Sequence, residues 1–403
     1  MSSVCQVCAA DGVEPRLDVG RHPVASHFAA TREARLATWP LVLGQCSRCG
    51  TIQLMEPVPH HALVPPYDWL FAREPEEHLD DAVARLMALP GIGRDSVIAG
   101  LTSKDDTTLE RFRRHGFERV WRVDVAADLG VVNACANIET VQRLTEPERM
   151  AQIADQRGAA DLLIVRHIVE HAEDLGAFMA GCAALVKPGG YIMLELPDCS
   201  TSLRLADYAM VWEEHSLYFV PETFAAVPAL GGFEHVTGEV YPLPFENCIV
   251  EIARKTGALR RPEIGAAARA SVGQLDSYAQ AFGTTTAAMR AKLETWRRER
   301  GRIALFGAGH LACAFINFHG LADLIDFVAD DTPQKQNLWL PGAGLSILPS
   351  AQMRDRDITL ALLALSISSE ERVIERNASF VSQGGTFASV LAASPRSIRS
   401  LAI

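Results

Sequence analysis

Two short cysteine motifs constrain the first sixty residues more tightly than anything else in this chain. Cys5-Gln-Val-Cys8 and Cys46-Ser-Arg-Cys49 are each a CxxC pair. Two thiolates separated by two residues on a tight turn reach the same ion, and two such turns supply the four sulfurs of a tetrahedral zinc site. Gly50 follows the last cysteine and lets the chain turn beneath the metal. With Cys5, Cys8, Cys46 and Cys49 all committed, no coordination position stays open, so the zinc is expected to be structural. A segment this small has little core of its own, and the ion would supply much of its stability. The other cysteines, Cys135, Cys182, Cys199, Cys248 and Cys313, are scattered and read as ordinary buried thiols.

Metal rather than a disulfide framework suits a reducing compartment. The N-terminus has no basic stretch leading into an apolar one, and no run of 18 apolar residues follows, so the expected location is cytoplasmic. A formal charge of −11 argues against nucleic acid or an anionic membrane surface as partner. Basic runs such as Arg297-Arg298-Glu299-Arg300 are broken by acids and read as solvated helix faces.

At 403 residues the chain is long enough for two or three domains. Residues 1–60 form the expected zinc-binding domain and 61–95 a helical connector. Over 96–260 apolar runs alternate with amphipathic ones. Strands are expected at 97–101, 119–123, 162–165 and 191–196, with helices at 109–115, 147–156 and 175–186. That alternation predicts an α/β, doubly wound parallel sheet. Two further runs, 235–241 and 248–254, predict an antiparallel hairpin at its edge. Residues 261–300 read as a helical bridge, and 301–403 open a second, Rossmann-like α/β domain.

Several stretches carry candidate chemistry. "VKPGGYIMLELPD" (186–198) reads as a helix end, a tight turn and a strand. "RHIVEHAEDLGAF" (166–178) follows an expected strand, and ligands of open parallel sheets sit beyond the carboxyl ends of strands. His167, Glu170 and His171 are thereby placed near any site, the plainer reading being that they cap or pack a helix start. "DYAMVWEEHSLYFVPETF" (207–224) gathers Tyr208, Trp212, Glu213, Glu214, His215 and Tyr218. A Glu–His neighbour pair beside aromatic rings suits general-base chemistry; the alternative is a charged helix start with aromatic core anchors.

In "RIALFGAGHLACAF" (302–315), Gly307, Gly309 and Ala312 with Asp330 beyond them match a loose dinucleotide fingerprint. That turn would hold a nicotinamide cofactor, contact a nucleotide-linked ligand, or simply pack its helix. His310, at the helix start, is expected to face the interdomain cleft.

Taken in order, the CxxC pairs, Glu170-His171-x-x-Asp174-Leu175, the Lys187-Pro-Gly-Gly strand, Glu213-Glu214-His215-Ser-Leu-Tyr-Phe219 and "GLADLIDFVADDTPQKQNLWLPGAGLSIL" (320–348) resemble the deoxysugar C-methyltransferases. The resemblance implies a zinc-binding N-terminal domain, a class I S-adenosylmethionine-dependent methyltransferase domain and a C-terminal Rossmann-like domain. It implies methyl transfer to a nucleotide-linked keto-sugar after a base removes the proton alpha to the ketone. On matched positions His215 is the expected base, supported by Glu214, with His171 assisting it or binding the sugar. Trp212, Tyr218, Gly307, Gly309 and His310 are the expected substrate contacts, and Gly100, Ser103, Asp106, Asp124 and His167 the expected cofactor contacts.

The chain departs from that family's pattern in three places. Trp212 stands where the family has a tyrosine, and Phe245-Glu246-Asn247-Cys248 where it has a glycine-rich stretch. The glycine-rich loop after the first strand of the sheet is replaced by Gly100-Leu-Thr-Ser-Lys-Asp-Asp106. Glycine there lets the backbone approach the cofactor closely, and side chains obstruct it. Asp124 remains placed to accept hydrogen bonds from ribose hydroxyls. Other readings therefore stay open: an isomerase or epimerase using the base alone, a nicotinamide-dependent sugar-modifying enzyme, or a non-catalytic binding protein.

Overall fold

A computed structural model describes residues 3–69, 76–244, 246–257 and 264–402. Phe245 and part of the connector lie outside the described residues. The N-terminal segment carries β1 (Ser3–Val4), β2 (Asp11–His22), β3 (Trp39–Cys46) and β4 (Ile52–Leu54). The central segment carries β5 (Ile98–Gly100), β6 (Val120–Arg122), β7 (Ala160–Arg166) and β8 (Val186–Asp198). Then follow β9 (Leu217–Tyr218), β10 (Phe233–Tyr241) and β11 (Asn247–Lys255). The C-terminal segment carries β12 (Arg302–Phe306), β13 (Val328–Ala329), β14 (Ile347–Leu348), β15 (Ile358–Leu363) and β16 (Thr386–Ser389).

The central sheet runs β10-β11-β8-β7-β5-β6. Its β5, β6, β7 and β8 are parallel, and β11 and β10 pair antiparallel at one side. β7 reads Ala-Asp-Leu-Leu-Ile-Val-Arg and is buried along nearly its whole length, as expected of a strand covered by helices on both faces. Helix Leu175–Leu185 is apolar almost all round because it lies in the core, and Gly181 lets it approach the Thr145 carbonyl closer than any side chain would permit.

Lys187-Pro-Gly-Gly190 is not a turn ahead of β8 but a bulge inside it. Ala160 pairs with Val186 and Leu162 with Tyr191, so the extra residues loop out of the ladder. Gly189 takes φ +77, and a Cβ on Gly190 would meet the Asp161 carbonyl at 3.0 Å.

In the C-terminal sheet all five strands are parallel, in the order β14-β13-β12-β15-β16. The order reverses between β12 and β15, which is the switch point where open α/β sheets bind ligands. The 26-residue helix Gln274–Glu299 ties the molecule together. Leu275 and Tyr278 pack with the N-terminal sheet, and Met289, Leu293 and Trp296 pack with the C-terminal one.

The N-terminal sheet is antiparallel and runs β1-β2-β3-β4-β9. Its last strand is borrowed from the far side of the central domain: Ile52 pairs with Tyr218 and Gln53 with Leu217. Leu54 N–H also donates to the Ser216 carbonyl at 2.9 Å. The residue immediately before that pairing is His215.

Candidate active site

The four cysteines of the CxxC pairs converge. Cys5 Sγ lies 3.5 Å from Cys49 Sγ, and Cys8 Sγ lies 3.6 Å from Cys46 Sγ. Sulfurs about 2.3 Å from a tetrahedral zinc stand roughly 3.8 Å apart, so the donor set fits that ion. Gly50 takes φ +76 and would clash with the Ala268 carbonyl if it carried a Cβ, so only glycine closes this turn. Of the five remaining cysteines, Cys182, Cys199, Cys248 and Cys313 are buried, whereas Cys135 is only half-buried.

Two cavities meet beyond the carboxyl ends of the central strands. One, of about 680 Å³, lies over β5 and β6 and is walled by Thr102, Ser103, Lys104, Asp124, Ile138 and Glu139. The other, of about 540 Å³, lies between the central and C-terminal sheets and is walled by Glu170, His215, Glu246, Gly309, Lys335 and Arg372, among others. Lys104, His171, Trp212 and His310 border both.

The loop after β5 closes without the glycines. Thr102 Oγ1 accepts from Lys104 N–H, and the Asp105 carboxylate accepts from Leu101, Thr102 and Arg166 N–H at 2.7–2.9 Å. Burial pushes the Asp105 carboxyl up to about 7, against the pull of those backbone donors. Thr102 and Asp105 form a capping box on the short 3-10 turn Ser103–Asp105, which runs on into a helix from Asp106, earlier than its apolar pattern predicts. Lys104 Nζ donates to the His167 carbonyl at 2.9 Å and pairs with Glu139 Oε1 at 2.8 Å.

The expected cofactor contacts separate. Ser103 and Asp124 face the first cavity, and Asp124 also closes its own turn by accepting from Ala126 and Ala127 N–H. Gly100 is buried within β5 against Leu109, where a Cβ would come within 2.8 Å of that side chain. Asp106 pairs with Arg122 at the surface, at 2.7 Å. His167 turns toward the second cavity, with Nε2 3.0 Å from Glu195 Oε1. Its φ of +48 is uncommon for a side-chain-bearing residue, and the buried Arg166–Glu195 pair beside it, at 2.8 Å, holds it there.

His171 and His215 meet edge to face, with ring centroids 4.7 Å apart and an interplanar angle of 83°. One nitrogen of each and a carboxylate oxygen of Glu170 lie within 4.8 Å of one another. Glu214, the expected support of His215, instead groups with His171 and Glu139 on the side of the first cavity. Burial and the neighbouring Glu213 and Glu139 carboxylates push its carboxyl well above the usual range. Burial drives His171 well below the ordinary imidazole value, reinforced by Lys104 and His167.

Trp212 lines both cavities and stacks on His310 with centroids 4.5 Å apart. Tyr218 holds the loop shut instead: its hydroxyl accepts from Trp212 N–H at 3.1 Å and donates to the Trp212 carbonyl at 3.0 Å. Glu246 enters the second cavity from the altered 245–248 stretch, its carboxyl raised to about 8 by burial, with Asp198 and Glu170 adding to the rise. The family pattern marks that stretch as changed, but nothing in it says where the new carboxyl points.

Gly307 takes φ +103 under the Ala364 carbonyl, and Gly309 and His310 open the helix His310–Phe318 toward the second cavity. Asp330 does not stand free for a ribose. Its carboxylate accepts from Ala308 N–H at 2.9 Å and from Lys335 Nζ at 3.2 Å, closing the glycine turn on itself.

Three family models tile the chain in this same order. Residues 5–63 match a "Putative zinc binding domain", residues 93–237 a "Methyltransferase domain", and residues 256–391 a "C-methyltransferase C-terminal domain". Together these matches give the chain the domain set of a C-methyltransferase. The C-methyltransferase NovU of Streptomyces niveus is 24% identical over 95% of this chain and 94% of its own length. A ubiquinone biosynthesis O-methyltransferase of Rhodopseudomonas palustris is 33% identical, over 17% of this chain and 28% of its own length.

Among solved structures, a 1,6-didemethyltoxoflavin-N1-methyltransferase of Burkholderia thailandensis with bound S-adenosylhomocysteine aligns over 45% of this chain and 79% of its own, at 19% identity and a TM-score of 0.31. Magnesium protoporphyrin IX methyltransferase of Synechocystis aligns over 45% and 83%, at 15% identity and a TM-score of 0.32. Among the described residues no helix of this chain is long and apolar enough to cross a membrane.

Proposed function

We propose that the enzyme methylates a carbon alpha to the carbonyl of a nucleotide-linked keto-deoxysugar, with S-adenosylmethionine as donor and His215 as the base. The observation that carries this reading is the edge-to-face His171–His215 pair at the junction of the two cavities. One cavity then serves the donor and the other the acceptor.

The first cavity suits S-adenosylmethionine despite its altered loop. Asp124 offers a carboxylate to ribose hydroxyls, Val125, Val131 and Ile138 offer apolar surface to a base, and Lys104 offers a cation to a carboxylate. When bound, the cofactor supplies an electrophilic methyl group. In the second cavity, the N-terminus of helix His310–Phe318, Lys335 and Arg372 suit a diphosphate. That leaves the sugar between the C-terminal domain and His215. His215 removes the alpha proton, leaving the electron pair on the substrate as an enolate. Trp212 and Leu217 restrict water on that side.

Calorimetry with S-adenosylmethionine and S-adenosylhomocysteine tests the donor site, and micromolar binding is expected. Proton NMR in deuterium oxide with a nucleotide-linked keto-deoxysugar then tests the base. Exchange of the alpha proton is expected, and His215→Gln should slow it by about 10²–10⁴-fold. A folded protein that binds neither sulfur compound overturns the methyl-transfer reading, and exchange without methylation favours an isomerase.

A further inference from the structure

The side chain that completes the site is one to which the family pattern gives no role. Glu170 follows β7 in the short turn Val169–His171 and is only 3% exposed, yet it lines the acceptor cavity. Its Oε2 has no hydrogen-bond partner among the described residues, and its Oε1 stands 3.8 Å from His167 Nδ1. A buried carboxylate oxygen without a partner is costly, so its place calls for an explanation.

Its backbone is held as firmly as its side chain is left open. The Glu170 carbonyl accepts from Ser216 N–H at 2.8 Å, and Ser216 Oγ stands 3.2 Å from it. Ser216 Oγ donates to the Ala172 carbonyl. The residue after His215 is thus latched to the residue that carries the carboxylate, and the two side chains keep their register.

We propose that Glu170 is the positioning carboxylate of His215, stabilising the imidazolium that forms when His215 takes the alpha proton. The inference rests on the base role proposed above. When the carbon–hydrogen bond breaks, its electron pair stays on the substrate as an enolate and the proton moves to a His215 nitrogen. The positive charge so created lies within 4.8 Å of the Glu170 carboxylate. Glu214 is ill placed for this, because it turns toward Glu139 and the donor cavity. His171 is ill suited to take the proton itself, because burial, Lys104 and His167 all disfavour its charged form.

Other groups surround the pair. Trp212 and Tyr218 present rings to His215 at 4.9 and 6.1 Å between centroids. His167 and Glu246 from the central sheet, Lys104 from the loop, and His310, Asp330, Lys335 and Arg372 from the C-terminal domain border the same cavity.

The test needs neither cofactor nor sugar, so it stands apart from whether the enzyme transfers methyl groups. Full-length zinc-loaded protein is labelled with carbon-13 at histidine Cε1, and the His215 resonance is assigned by its loss in His215→Gln. Titration is then followed in the wild type and in Glu170→Gln, Glu170→Asp and Glu214→Gln. An opposite charge within a few ångströms raises an imidazole midpoint by about one pH unit or more, so Glu170→Gln should lower it by about one pH unit. Glu170→Asp, which withdraws the charge by one methylene, should lower it by less. Glu214→Gln should move it less than Glu170→Gln does. An unchanged midpoint in Glu170→Gln, or a larger fall in Glu214→Gln, overturns the proposal. If Glu170→Gln fails to fold, Glu170→Asp decides: a fall supports the assignment and an unchanged midpoint rejects it.

Discussion

Glu213 sits where three parts of the molecule touch. Its carboxylate accepts from Ala25 N–H of the N-terminal segment at 2.5 Å and stands 4.0 Å from His310 Nδ1 of the C-terminal domain. Burial lifts its carboxyl from about 4.5 to about 7. A carboxyl whose folded-state value lies above its unfolded one lends stability that is fully present below about 4.5 and lost as pH rises through about 7. Glu213→Gln keeps an acceptor for Ala25 N–H and removes the ionisation. The variant should therefore be more stable than the wild type at pH 8, by roughly 1–3 kcal/mol, and nearly equal to it at pH 5, as urea denaturation at the two values would show.

The same neighbourhood marks how far single residues can be read. Glu213-Glu214-His215 suggests acid–base chemistry through its residue types alone, and the proposed base rests on that reading. Which carboxylate serves which partner depends on where three consecutive side chains point. They go to Ala25 and His310, to His171 and Glu139, and to His171 and Glu170 in turn. Nothing in the local pattern encodes those directions, because each is fixed by a distant segment.

At the scale of the element, strands and helices whose apolar periodicity runs a full turn or more were legible, and β7 and helix Leu175–Leu185 lie close to their expected limits. Two kinds of feature were not. β9 is two residues long and exists only because β4 offers it an edge. The loop after β5 closes by Asp105 capping rather than by glycine, which a search for glycines cannot find.

The C-terminal glycine turn separates backbone need from binding. At Gly307, φ is +103 and a Cβ would stand 2.6 Å from the Ala364 carbonyl. At Gly309 the backbone is extended and open space surrounds the Cα. Gly307→Ala should therefore cost about 1–3 kcal/mol in denaturant unfolding. Gly309→Ala should stay within about 0.5 kcal/mol of the wild type. Equal costs at the two positions would mean that packing against Ala364 does not set the turn.

Across the whole molecule the zinc site is joined through backbone to the segment that carries the proposed base. Cys46 ends β3, Cys49 stands three residues before β4, β4 pairs with β9, and Ser216 alone separates β9 from His215. Metal that only stabilised a separate module could be removed with its effect confined there. Here its removal frees β4, and the 212–218 loop loses the edge against which its histidine is held. Chelation, or Cys46→Ser, should therefore lower stability by about 4 kcal/mol or more, as expected for loss of a structural metal. It should also abolish alpha-proton exchange before the central sheet unfolds. Exchange and the near-ultraviolet circular dichroism of the central domain, followed together during chelation, distinguish the two cases. Exchange lost while the dichroism persists places the zinc in control of His215 through β9. Exchange that persists until the dichroism collapses shows that the loop holds its shape without the borrowed strand.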